Sequence, residues 1–227
     1  LDYYYHSTRE AAEWVKANAV PNSDGSKIKV ASWHQASVAY FFRKDTASFS
    51  VPFVRWYERG NVDWDYAIFT VTGITPEQLR SENFPPKNMV HSINVDGKPI
   101  CIILKRETKD DFIGYQQMKA QEYDSAIVSL TRALKVDPLN ESIYVNLSES
   151  YYRKEQIAMA KPYIDKLLKF APTYESGSYM LGIYYLSSVL PDEALKVYRN
   201  LININSKYSA AYHIGFLAYA QKQNIRG

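Results

Sequence analysis

Four histidines are the first residues to weigh as chemistry: His6, His34, His91 and His213. An imidazole exchanges a proton near neutral pH and is a common metal ligand. None of the four stands at metal-ligand spacing from another, so no metal site is expected. His34 holds the most suggestive position. It follows the stretch KIKVASW at residues 27–33, and ligands of α/β sheets sit beyond the carboxyl ends of strands. Asp63 and Asp65 stand two apart in VDWDYA, ahead of an apolar run. Paired carboxylates do acid–base work when their surroundings push their pKa values apart. No partner motif accompanies these two, and a solvated loop is the expectation. A ligand-binding reading of this region centres on His34 and Asp65.

Ser32 and Ser37 flank His34, but neither lies in the G-x-S-x-G context of a nucleophile elbow. The nine glycines do not cluster, and there is no G-x-G-x-x-G or phosphate loop. The single cysteine, Cys101, lies in the apolar run PICIIL. It excludes an internal disulfide and reads as a small buried hydrophobe in a strand. No catalytic residue is assigned and no cofactor is expected.

The elements that would position these residues alternate between helix and strand. STRE at residues 7–10 has the form of a capping box, with Ser7 as cap and Glu10 reaching back. It leads into a helix with Ala12, Val15 and Ala19 on one face. A turn cluster from Pro21 to Ser26 precedes the strand KIKVASW, in which Ile28 and Val30 alternate with lysines. QASVAYFFR reads as a short helix. SFSVPFV reads as a strand that Pro52 confines to an edge or bulge. DYAIFTV at residues 65–71 is a nearly continuous apolar strand, buried on both faces. TPEQLRSE carries a cap, a proline at the first helical position and Gln78 in the box. In MVHSINV-DG-KPICIILKR, two apolar runs flank Asp96-Gly97, a two-residue hairpin turn. The fold class of residues 1–106 is therefore α/β, a small mixed sheet with flanking helices.

The chain changes character near residue 108. All four tryptophans lie before it and fourteen of the twenty tyrosines after it. Beyond it the sequence repeats at a spacing of 34: Gly114, Ser148 and Gly182; Ala126, Ala160 and Ala194; Tyr151, Tyr185 and Tyr219; Pro138, Pro172 and Ser206. Small residues let paired helices approach closely, and the prolines stop a helix. Leu130, Ile164 and Tyr198 form one packing row; Leu147 and Leu181 form another.

This period and pattern resemble the tetratricopeptide repeat, a helix–turn–helix unit that stacks into an all-α solenoid. The likeness covers about half the chain, residues 107–227. It gives repeats at 107–140, 141–174 and 175–208, and a further first helix at 209–222. Asp110 and Gln117 stand where the family prefers aromatic residues, and Phe216 stands where a small residue is expected. The last helix reads either as a cap on the solenoid or as the start of a truncated unit. First-helix residues outside the packing rows line the concave groove of such a solenoid. They are Tyr115, Met118 and Lys119; Glu149, Tyr152 and Arg153; Tyr179, Ile183 and Leu186; His213 and Leu217. Aromatic and aliphatic residues among single charges suit a protein or peptide partner. No two-carboxylate clamp of Lys and Arg recurs in successive repeats.

The net charge of +3 is too mild for a nucleic-acid partner, which needs a concentrated basic patch. No segment reaches the roughly 18 apolar residues that span a bilayer. Residues 1–106 also resemble the soluble tail of bacterial dolichyl-phosphate-mannose protein mannosyltransferase-like membrane glycosyltransferases. The likeness rests on STREAAEWVKANAVPNSDGSKIKVASW, then AYFFR, then WDYAIFTV. It implies an extracytoplasmic, periplasmic accessory region whose membrane-embedded portion lies ahead of Leu1 in the same parent chain. Leu1 to His6 then reads as a junction at the membrane interface, where tyrosine is common. That group's catalytic acidic residues lie between membrane helices, so none transfers to this sequence. The alternative is a stand-alone adaptor, an α/β ligand-binding domain joined to a repeat scaffold.

Overall fold

The computed structural model describes residues 2–226, without the side chains of 2–5 and 225–226. Leu1 and the side chains of Tyr3, Tyr4 and Tyr5, assigned to a membrane junction, lie outside that description. The chain divides into two compact units. One is Leu1–Ile113 with Arg132–Ser142, the other Gly114–Thr131 with Ile143–Gly227.

In the first unit, helix α1 (Asp2–Asn18) begins ahead of the expected capping box. Ser7 and Thr8 are buried inside it, and Glu10 is exposed. The helix runs on through the preceding residues, so Ser7 joins the packed face of Ala11, Ala12 and Val15 and does not act as a cap. Strands β1 (Ile28–Ala31), β2 (Phe49–Ser50), β3 (Tyr66–Thr70), β4 (Met89–Val95) and β5 (Lys98–Lys105) form a five-stranded sheet. Its order is β2-β1-β3-β5-β4. β1 pairs in parallel with β2 and β3, whereas β5 is antiparallel to β3 and β4. The sheet is mixed, as the sequence pattern indicates.

The period of two along each strand sends alternate side chains to opposite faces, and both faces are covered. Val30, Ile68, Cys101 and Ile103 pack with Ala11 and Val15 of α1 and with Val38 and Phe42 of helix α2 (Gln35–Phe42). Ala31, Ala67, Phe69, Ile102 and Leu104 pack on the other side with Val54, Trp56, Trp64 and Ile74. All five residues of β3 are buried, as its unbroken apolar run requires. β2 is one of the two edge strands and only two residues long. Pro52 beside it has no N–H to give, but its carbonyl accepts from Ser32 at 3.1 Å. Asp96 and Gly97 both have positive φ, 49° and 75°, the requirement of the tight turn joining β4 to β5. Thr75 and Gln78 close a capping box on the short helix α3 (Pro76–Leu79).

Seven helices follow: α4 (Asp110–Lys119), α5 (Tyr123–Val136), α6 (Glu141–Arg153), α7 (Ile157–Phe170), α8 (Glu175–Ser187), α9 (Pro191–Ile204) and α10 (Ser209–Arg226). Three antiparallel pairs and a last single helix reproduce the 34-residue period. Ala126, Ala160 and Ala194 are all fully buried, as are Leu130 and Ile164. A Cβ at Gly114 would meet Leu130 Cγ at 2.6 Å, so only glycine admits that approach of α5 to α4. At Gly182 the close neighbour is Ile214 of α10, 3.0 Å from an added Cβ.

The turns inside the pairs repeat as well. Gln121, Glu155 and Val189 have φ of 65°, 58° and 57°. The N–H groups of Glu122, Gln156 and Leu190 donate to the carbonyls of Gln117, Tyr151 and Tyr185 at 2.8, 2.9 and 2.9 Å. This six-to-one bond with a left-handed residue is the Schellman end of a helix. It is built three times without glycine.

Candidate functional site

The sequence nominates two places, and the structure treats them differently. His34 lies beyond the end of β1. Its Nε2 is 3.3 Å from Thr70 Oγ1, which also accepts from Trp33 Nε1 at 3.3 Å. Its backbone N–H donates to Ser32 Oγ at 3.1 Å. Burial pushes its pKa down, which favours the neutral ring. Asp65 immediately precedes β3, whereas Thr70 ends that strand. His34 and Asp65 thus stand at opposite ends of the parallel β1–β3 pair, about 16 Å apart along an extended chain, and do not share a site.

Asp65 instead ties down the turn ahead of β1. Its Oδ2 accepts from the Lys29 N–H at 2.8 Å and from Asn22 Nδ2 at 3.3 Å, and Lys109 pairs with Oδ1 at 3.2 Å. Asp63 is held by Lys29 and Lys109. Burial raises the Asp63 pKa, but hydrogen bonds from Lys109 and Lys29 outweigh it and leave the carboxyl lowered. Both aspartates are ion-paired anchors, and a loose acid–base pair is not formed. Cys101 is fully buried and its thiol is pushed by burial up to about 12. Among the described residues there is no cluster of His, Cys, Asp or Glu fit to hold a metal ion.

The repeat half offers a more open surface. Met118, Lys119, Glu149 and Arg153, drawn from α4 and α6, line one pocket of about 260 Å³ together with Gln121 and Tyr123. Arg153 Nε donates to Glu149 Oε1 at 2.7 Å, and its guanidinium lies 5.8 Å from the Tyr152 ring centre. Lys119 and Arg153 are both exposed. Further along, Tyr179 Oη is 3.3 Å from His213 Nδ1, with the two rings stacked 6.4 Å apart. Burial pushes the Tyr179 phenol up, and the nearby Glu149 carboxylate adds to it.

Tyr115 and Leu217 are half-buried. Leu186 is half-buried against the core of α8, α9 and α10. Ile183 belongs to that core itself, 6% exposed beside Ala194, Leu195 and Ile214. It lies one residue past Gly182, on the inward side of α8, which removes it from the groove surface. Gln121 and Tyr123 were not nominated. Gln121 is the left-handed residue of the turn between α4 and α5, Tyr123 opens α5, and nothing at Gln121 signals a positive φ.

A second feature escaped the sequence altogether, a buried charge network inside the first unit. Arg59 is fully buried in the short 3-10 helix at residues 56–61. It grips Asp137 through Nε at 2.8 Å and Nη2 at 3.0 Å, and Nη1 reaches Glu141 at 3.1 Å. The guanidinium lies 3.7 Å from the Trp56 ring centre. Gln78 Nε2 donates to Glu141 at 2.6 Å and its Oε1 accepts from Trp56 Nε1 at 3.1 Å. Arg106 donates to Asp111 at 2.7 Å and to the Arg59 carbonyl at 2.9 Å. Every charge is paired, as burial demands. The network ties the turn between α5 and α6 into the α/β unit.

Paired antiparallel helices on a fixed period, stacked around small residues, define a helical-repeat scaffold. Residues 141–174, the span of α6 and α7, match the model of the tetratricopeptide repeat family. The small glutamine-rich tetratricopeptide repeat-containing protein 2 of Saccharomyces cerevisiae is 28% identical over 91 residues. That match covers 40% of this chain but only 26% of the yeast protein. Two solved structures are also similar. The first TPR of Spaghetti (RPAP3), bound to the HSP90 peptide SRMEEVD, is 20% identical with a TM-score of 0.46, over 51% of this chain and 89% of its own. The first TPR domain of human RPAP3 is 23% identical with a TM-score of 0.45, over 49% of this chain and 91% of its own.

Proposed function

We propose that the protein is an interaction adaptor whose repeat half binds an extended peptide in the groove of α4 and α6. The observation that carries this reading is the pocket between successive repeats. There an aliphatic side chain (Met118), an aromatic one (Tyr123) and two exposed cations (Lys119, Arg153) converge. An apolar wall beside two cations fits a bulky apolar residue next to an acidic group. Glu149 pre-orients Arg153, so the guanidinium loses less freedom on binding. The Tyr152 and Tyr179 rings extend the groove toward His213.

The test is a fluorescence-anisotropy survey of ten-residue peptides against the full 227-residue chain. Its set varies the acidic and apolar positions independently. Peptides pairing an acid with a bulky apolar residue bind best. A Lys119→Ala/Arg153→Ala variant loses about tenfold, the loss expected for one charge-assisted hydrogen bond. Equal binding by wild type and variant sinks the proposal.

The mannosyltransferase-like context for residues 1–106, with its periplasmic placement and membrane-embedded portion, is matched by none of these relatives and stands on sequence alone. Among the described residues no helix is long and apolar enough to cross a membrane. Reading the residues encoded ahead of Leu1 decides that context. Without apolar helices of about 20 residues there, it falls.

A further inference from the structure

We propose that the groove between α1 and α2 binds a phosphate group attached to a hydroxylated molecule. The groove has a volume of about 410 Å³ and is lined by Arg9, Glu13 and Lys16 of α1 and by Tyr40, Arg43 and Lys44 of α2 and its end, with Phe41 and Asp45 completing it. That volume lies within the range of ligand pockets, roughly 300–1,000 Å³.

Four cations and two carboxylates surround one concavity, and they are not equivalent. Lys16 is neutralised by Asp45 at 3.0 Å. Arg9 and Lys44 form no ion pair among the described residues. Arg43 spends one nitrogen on the Tyr40 carbonyl at 2.8 Å, and its guanidinium carbon lies over the Tyr40 ring, 3.8 Å from the ring centre. These two contacts restrain the guanidinium and leave further N–H groups to donate. A restrained guanidinium with two other cations around one opening is the donor set that phosphate oxygens take up.

The remaining lining defines what the phosphate carries. Glu13 sits one turn after Arg9 and can only accept hydrogen bonds, so it favours hydroxyl donors over a second anionic group. Tyr40, 57% exposed, presents an aromatic face to the carbon skeleton. A phosphate ester of a polyol meets all three conditions, whether as a free metabolite or as a phospholipid headgroup. The site lies in the α/β unit and is independent of the peptide groove.

The experiment uses the whole chain and two probes. Glycerol 3-phosphate is titrated calorimetrically, with glycerol as control. Vesicles containing phosphatidylglycerol are tested by co-sedimentation, with phosphatidylcholine vesicles as control. Saturable binding in the soluble arm identifies a free phosphate ester; binding in the vesicle arm alone identifies a headgroup. Arg43→Gln/Lys44→Gln lowers the bound arm about tenfold or more, as loss of charge-assisted hydrogen bonds requires. Lys87→Gln/Lys98→Gln removes the same charge from exposed positions elsewhere in this unit and leaves binding unchanged. Amide shifts on titrating the wild type fall at residues 9–16 and 40–45, a readout independent of any variant's folding. No binding in either arm, equal losses in the two double variants, or shifts confined to other residues overturns the proposal.

Discussion

Arg59 and Arg153 are the same residue type put to opposite uses. Arg59 is fully buried, spends its donors on Asp137, Glu141 and the Trp56 carbonyl, and lies against an indole. Arg153 is exposed and holds one partner, Glu149, a turn away on its own helix. The first has no capacity left for a ligand. The second keeps its other donors turned to solvent beside a pocket. The difference teaches that a charged residue's role is set by what its surroundings leave unpaired. It separates the scaffold of the α/β unit from the surface of the repeats.

Breaking the buried side gives the largest effect. Arg59→Leu strands Asp137 and Glu141 without a counter-charge. Removing one partner of a buried pair costs about 3–5 kcal/mol, and urea unfolding followed by tryptophan fluorescence measures it. Arg59→Lys recovers little, because an ammonium cannot make the two parallel bonds to Asp137. A loss below about 1 kcal/mol for Arg59→Leu would place this network with ordinary surface pairs and collapse the contrast with Arg153.

Next come the small residues that set helix spacing. At Gly114 an added Cβ meets Leu130 Cγ at 2.6 Å and its backbone nitrogen at 3.2 Å. Gly114→Ala therefore destabilises by about 1–3 kcal/mol through overpacking. At Gly182 the added atom stops 3.0 to 3.1 Å from the Ile214 side chain, a contact that side-chain movement relieves. Gly182→Ala costs less in the same denaturation assay. Equal costs would show that the sequence period, which treats these glycines as equivalent, describes their packing better than the geometry does.

The legibility of the chain follows the same division. Periodic patterns were readable because each repeats one physical demand: period two in the strands, 34 residues in the helices. The paired turn residues Asp96-Gly97 and Thr75 with Gln78 announce their geometry in their chemistry. Pairings across long sequence separations were not readable. Arg59 meets Asp137 78 residues later, and neither stands in a local motif. The left-handed turns at Gln121, Glu155 and Val189 were invisible because tertiary packing imposes a conformation those residue types avoid. Asp65 was nominated as a ligand group because a carboxylate before a strand carries no mark of the lysines that will claim it. The groove residues were partly legible. Helical spacing placed Met118, Lys119, Glu149 and Arg153 together, yet the same spacing could not tell the inward Ile183 from its outward neighbours.

Proton linkage sharpens the comparison at a smaller scale. Asp63 titrates below its unfolded value because hydrogen bonds from Lys109 and Lys29 outweigh its burial. Its contribution is therefore complete above the ordinary carboxylate range and disappears as pH falls through the folded value. Burial pushes Glu141 and Asp111 the other way, against the opposing pull of Arg59 and Arg106. Their contribution is complete at low pH and fades as pH rises through the raised values. The stability difference between wild type and Asp63→Asn, followed from pH 6 to pH 3, thus shrinks on acidification. It stays below about 1 kcal/mol, the scale of a partly exposed pair. A difference that grows on acidification contradicts the lysine pairing.

The smallest stability effect belongs to the groove, and there smallness is the point. Lys119→Ala/Arg153→Ala removes exposed groups whose one ion pair among the described residues, Arg153 with Glu149, is an i,i+4 contact on one helix. Such changes stay within about 0.5 kcal/mol, so thermal unfolding of the variant overlays that of the wild type. Peptide affinity falls about tenfold in the same preparation, as the loss of a charge-assisted hydrogen bond implies. This pairing of unchanged stability with lost binding inverts the Arg59→Leu result, in which stability falls at a residue with no ligand to hold. Should the groove variant instead unfold early, Lys119 and Arg153 would belong with Arg59 as scaffold. The peptide would then have to be sought along Tyr152, Tyr179 and His213.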